Sequence, residues 1–123
     1  MAHTIEFVKD DKYVGVTLTG EIAKDDLEIA RNEANLALTT NNCNCILVDA
    51  IRSNLGLSVT ELYQFEIEHR SRLPLGVRIA LVVPPDQLED LQFAENVAQN
   101  RGVNMNLFLD RVQALNWLLE RSS

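Results

Sequence analysis

What this sequence has little of narrows its chemistry before anything else does. Its only two cysteines, Cys43 and Cys45, stand two positions apart. That is too close for an ordinary disulfide, and two thiols are too few for a closed zinc site, so they are expected as small, semi-buried thiols, with redox sensing as a minor role. The two histidines, His3 and His69, have no nucleophile motif beside them, so a nucleophile, base and orienting acid have no evident candidates. Glu66 and His69 could share a helix face, but the sequence points to no further metal ligand. Neither a Gly-x-Gly-x-x-Gly nor a P-loop pattern occurs, which leaves a nucleotide site without a motif. No cofactor and no metal is expected. Basic clusters are also missing. Eighteen acidic residues against eleven basic ones give a net charge of −7, a balance that repels nucleic acid. No apolar run reaches the roughly 18 residues that span a bilayer, so membrane insertion is not expected. The first ten residues, Met1 to Asp10, go straight into strand-like alternation without the basic-then-apolar pattern of a signal peptide, which favours a cytoplasmic protein.

What is present describes a globular chain. With 123 residues, 46% hydrophobic and 24% charged, and no linker, repeat or low-complexity segment, residues 1–123 are expected to form a single domain with a core of its own. Thr4 to Val8 and Tyr13 to Thr19 flank the polar turn Lys9–Lys12 and should pair as an antiparallel hairpin, with Gly20 breaking the second strand. Asp25 to about Leu38 carries a helical stripe of Leu27, Ala30, Ala34, Ala37 and Leu38 behind two acids at its start. Cys45 to Val48 is an unbroken apolar run that ends on Asp49, the pattern of a central strand covered on both faces.

Ser58-Val59-Thr60-Glu61 reads as a capping box, so a helix begins at Ser58, presents Val59, Leu62 and Phe65, and runs to about Arg70. Its charged run, Glu61, Glu66, Glu68, His69 and Arg70, reads as a solvated face. Val77 to Val83 is the next buried strand, stopped by Pro84-Pro85. Asp86 and Glu89 suggest a second capping box, ahead of a helix carrying Leu91, Ala94, Val97 and Ala98 that ends at Gly102. Val103 to Leu109 alternates as a strand. Asp110 then caps a last helix with Ala114, Leu115, Trp117 and Leu118 on its buried side. The order is ββαβαβαβα.

That order, the Leu47-Val48-Asp49 strand end, Thr19-Gly20-Glu21 after the second strand, Gly76 to Val83, Phe93 to Gly102 and the Ala114-Leu115-Asn116-Trp117-Leu118 ending together resemble the STAS/SpoIIAA-like family over nearly the whole chain. The resemblance implies a single-domain α/β fold with a mixed sheet, an N-terminal antiparallel hairpin and βα crossovers. It also implies a small bacterial regulatory domain, not an enzyme. Among the family's members are anti-sigma-factor antagonists, which bind a switch kinase that phosphorylates them on a Ser or Thr in an Asp-Ser-[Ser/Thr]-Gly box. Counted without a gap from Asp49, that box falls on Leu57 to Thr60. Ser58 matches; Leu57 replaces the acid and Thr60 the glycine, as in a divergent SpoIIAA-like branch.

Two kinds of site follow. Ser58 is the candidate phosphoacceptor, with free helix N–H groups to hold a phosphate, although a plain N-cap also accounts for it. The candidate partner surface is the Leu55 to Thr60 loop, including Leu57 and Thr60, with the exposed side of the helix behind it; the partner would be a switch kinase or another regulator. The alternative is a small-ligand or lipid-binding domain, with a pocket at the carboxyl end of the central strand beside Asp49, Arg52, Ser53 and the Leu55-Gly56-Leu57 loop. Asp49 could equally be a loop acid bonded to nearby N–H groups or paired with Arg52. The short apolar hairpin must lie at a sheet edge or continue into a neighbour's sheet, which makes a homodimer an expectation.

Overall fold

A computed structural model describes residues 2–120, the side chains of residues 2 and 70 excepted. Five strands form one sheet in chain order: β1 (Ala2–Val8), β2 (Tyr13–Ile22), β3 (Cys45–Leu55), β4 (Arg78–Val82) and β5 (Asn104–Phe108). The first pair is antiparallel and the other three pairs are parallel. Parallel strands laid down in sequence, each reached by a right-handed crossover, put their connecting helices on one face. The packing agrees. α1 (Lys24–Thr40), α2 (Val59–Ile67) and α4 (Leu88–Asn100) contribute Leu27, Ala34, Leu62, Phe65, Leu91 and Ala98 to one core with Val14, Val16, Ile46 and Ile79. α5 (Arg111–Leu118) returns across the other face, where Ala114 and Leu118 meet Tyr13, Leu47, Ala80 and Val82. β3 is therefore covered on both faces along its first half, although Cys45 and Val48 are only half-buried while Ile46 and Leu47 are buried.

Several expectations need correction. Gly20 does not end β2. It takes a left-handed φ of 80°, after a register shift between Thr17 and Thr19, and the strand continues to Ile22. β3 likewise does not stop at Asp49, where its pairing with β4 ends; it continues beside β2, Gly20 facing Ser53 and Ile22 facing Leu55. Among the described residues no strand pairs with the other side of this extension, and the side chain of Gln87 stands in for one. Its Nε2 donates to the Ser53 carbonyl at 2.8 Å and its Oε1 accepts from the Leu55 N–H at 3.2 Å. An amide that offers one donor and one acceptor substitutes for a peptide group of a missing strand.

The helix from Ser58 stops at Ile67, and a short α3 (His69–Arg72) follows the break at Glu68. The second capping box does not form. Pro84-Pro85 starts a 3-10 turn over Pro85–Gln87, so Asp86 already lies inside that turn instead of ahead of a helix, and α4 begins only after it. Asp110 does cap α5, its Oδ1 accepting from the N–H of Val112 at 2.6 Å and from that of Gln113 at 3.4 Å.

Candidate functional site

The start of α2 is built as its sequence specifies. Ser58 Oγ accepts from the Glu61 N–H at 3.1 Å, and Glu61 Oε1 accepts from the Ser58 N–H at 3.0 Å, which satisfies two of the N–H groups a helix start leaves open. Ser58, Val59 and Thr60 are all exposed, and Leu55 and Leu57 are half-buried against the core. One turn further on, Tyr63 lies with its ring centre 6.4 Å from that of Phe93 on α4, and Arg101 Nη2 donates to the Tyr63 hydroxyl at 2.9 Å. Val59 is 69% exposed, Tyr63 38% and Phe93 39%. The α2 and α4 surfaces thus present an aliphatic and two aromatic side chains to solvent beside Ser58, with an arginine at the rim. Sequence reading placed a surface on α2 but missed the contribution of α4, because Phe93 and Arg101 meet Tyr63 only through the crossover.

Asp49 turns to the α5 face. Its Oδ1 accepts from the Ile51 N–H at 3.2 Å, and its Oδ2 lies 3.3 Å from Arg111 Nη1. The cation that pairs with it is Arg111, not Arg52, which lies in the strand extension opposite Thr19 and is exposed. Ser53 is buried, its hydroxyl donating to the Ala50 carbonyl at 2.9 Å. The six residues grouped around Asp49 in sequence are therefore divided by the sheet: Asp49 faces α5, and Leu55 and Leu57 pack with the α1–α2–α4 core.

The charged run on α2 is not all solvated. Glu66 and His69 are 4% and 5% exposed, and His69 meets Arg31 of α1, which is 6% exposed; the side chain of Arg70 lies outside the described residues. Arg31 Nη1 donates to the carbonyl of Phe65 at 2.7 Å and lies 3.2 Å from His69 Nδ1. Its Nη2 donates to Glu68 Oε1 at 3.3 Å, and its guanidinium carbon sits 4.2 Å over the Phe65 ring. The break at Glu68 leaves carbonyls at the end of α2 without helical partners, and Arg31 takes one of them. Burial lowers the pKa of Arg31 from its ordinary value, opposed by the hydrogen bond and charge of Glu68. On the other side of the imidazole, His69 Nε2 lies 2.8 Å from Glu66 Oε1, but too far off the N–H axis to leave that oxygen hydrogen-bonded.

A signal for this cluster was in the sequence. Arg31 falls on the buried stripe of α1 between Leu27 and Leu38, and Glu66 and His69 continue the Leu62–Phe65 stripe. A cavity of about 80 Å³ adjoins the cluster between the sheet and α1, α2 and α4. It touches Val48 and Leu55 of β3 but not Asp49.

Among the described residues, no group of three or more His, Cys, Asp or Glu side chains is placed to hold a metal, and no helix is long and apolar enough to cross a membrane. Cys43 is buried and Cys45 half-buried. No family model matches the chain, and no curated protein is significantly similar to it in sequence. Solved structures are similar. An uncharacterised DUF3478-family protein from Shewanella loihica, described as having a SpoIIAA-like fold, superposes with a TM-score of 0.60 at 21% identity, over 95% of this chain and 92% of its own. An anti-sigma factor antagonist from Mycobacterium paratuberculosis gives 0.65 at 14% identity over 97% and 94%. The Bacillus cell fate determinant SpoIIAA in its phosphorylated form gives 0.57 at 19% over 94% and 98%. The chain has a SpoIIAA-like fold.

Proposed function

We propose that the chain is a non-catalytic bacterial regulatory module of the cytoplasm that binds a protein partner, a switch kinase or another regulator, through the surface formed by the start of α2 and the adjoining face of α4. The observation that carries this reading is the exposed Val59–Tyr63–Phe93 patch beside Ser58. Exposed apolar groups that gather in one place mark interaction sites, and aromatic residues with an arginine at the edge are the composition of binding hot spots. Likeness to anti-sigma-factor antagonists supports the same class of function.

In this reading the module works without a phosphoswitch at Ser58. The Glu61 carboxylate already occupies the Ser58 N–H. A phosphate on Ser58 would bring about −1.5 to −2 charge against that carboxylate. Leu57 and Thr60 stand where the antagonist box has its acid and glycine. Comparing Ser58→Ala with Ser58→Asp tests this. As a cap, Ser58 gives an Ala variant that is about 1 kcal/mol less stable and an Asp variant that keeps both fold and partner affinity. Partner binding lost in Ser58→Asp but kept in Ser58→Ala, together with a phosphopeptide covering Ser58 from native cells, would reverse the reading.

A further inference from the structure

The cavity under α2 is apolar over most of its wall, with Leu27, Leu62, Ile79, Leu91 and Met105 among its lining residues; the exception is where Arg31, Glu66 and His69 meet it. Two of these three side chains each carry a buried polar atom without a hydrogen bond: the donor Arg31 Nε, and the acceptor Glu66 Oε1, whose 2.8 Å contact with His69 Nε2 lacks hydrogen-bond geometry. Unsatisfied buried groups of this kind are uncommon and costly, and they mark a place for a further polar group. A group that can both accept and donate fits this pair, and the smallest is a hydroxyl.

Charge narrows the choice. Arg31 and Glu66 bring one charge of each sign to the wall, and Arg31 already pairs with Glu68, so an ionised head of either sign would lose its water without an uncompensated opposite charge to receive it. Size narrows it again. An apolar cavity of about 150 Å³ accepts benzene, so by proportion 80 Å³ holds about three or four non-hydrogen atoms.

We propose that this cavity is a binding site for a small neutral molecule with a short aliphatic body and one hydroxyl, the hydroxyl at the Arg31–Glu66 end and the body among the leucines. The proposal does not depend on the partner surface, which lies on the outer side of α2.

The test uses two probes of equal size, 1-propanol and propionate, followed by methyl NMR spectra of the full chain. Saturable shifts are expected with 1-propanol at the methyls of Leu62, Ile79 and Leu91 and not at those of exposed Leu36 and Leu75, with propionate at least tenfold weaker. Ala34→Leu, which fills the cavity from α1, should remove the saturable shifts while the protein still melts cooperatively; Ala30→Leu serves the same purpose if the first variant does not fold. Shifts that rise without saturation at lining and exposed methyls alike, equal responses to the two probes, or binding unchanged in a folded filled variant would overturn the proposal. So would water contacts to Leu62 that persist at the highest propanol concentration, since the cavity would then hold water only.

Discussion

Replacing Arg31 by Met keeps a long apolar stem over Phe65 and removes the charged fork. In the native chain that fork donates to the Phe65 carbonyl at 2.7 Å, a hydrogen bond from a charged donor worth about 1.5–3 kcal/mol. Its stacking on Phe65 contributes about 0.5–2 kcal/mol, part of which the thioether of Met recovers. The contact with Glu68 adds less than about 1 kcal/mol, because that carboxylate is 35% exposed and screened by solvent. Against these losses, Met avoids the cost of burying a charge. The balance favours arginine by about 2–3 kcal/mol, which in a chain of this size lowers the melting temperature by about 8–12 °C. Urea unfolding followed by circular dichroism measures the difference, and hydrogen exchange locates it, with the amides of Leu62 to Ile67 expected to lose the most protection. A variant as stable as the native chain would refute the claim that Arg31 fastens the end of α2 to α1.

The amide of Gln87 supports the strand extension by donating to Ser53 and accepting from Leu55. Gln87→Glu loses the donor and sets a carboxylate oxygen against the Ser53 carbonyl, so a loss of about 1–3 kcal/mol is expected by chemical denaturation, whereas Gln87→Met should lose less. Leu47 is 1% exposed under α5, and Leu47→Asp, which puts an unpaired charge there, should abolish cooperative unfolding by calorimetry. β1 is an edge strand of the sheet, and we expect it to pair with its copy in a homodimer. Light scattering at high protein concentration should show twice the chain mass, and monomer alone would remove that expectation.

The fold was legible in this sequence wherever a residue acts on its own neighbourhood. Ser58 with Glu61, Asp110, Gly102 and the apolar run from Cys45 to Val48 each declare a helix start, a helix end or a buried strand through local chemistry, and the structure contains them, with Cys45 and Val48 only half-buried. Distant partners made the difference elsewhere. Arg52, Ser53 and Asn54 are weak strand formers that extend β3 only because β2 continues beside them and Gln87 closes their open edge. Glu66 and His69 looked like part of a polar face because Arg31, which meets His69 as His69 meets Glu66, is a helix and a strand away. The candidate surface was half legible for the same reason. Ser58 and Val59 could be placed on a capped helix start, but Phe93 and Arg101 join them only after α4 has crossed the sheet.

The partner surface can be tested where the chain meets its partner. A photo-crosslinking amino acid placed at Val59, which is 69% exposed on α2, is compared in cells with the same group at Leu36, which is 66% exposed on α1. The expected result is one discrete adduct with a second protein from position 59, none from position 36, and loss of the adduct when Phe93→Glu is added. Adducts of equal yield from both positions, or an adduct from 59 that Phe93→Glu leaves unchanged, would contradict a binding surface formed by α2 and α4.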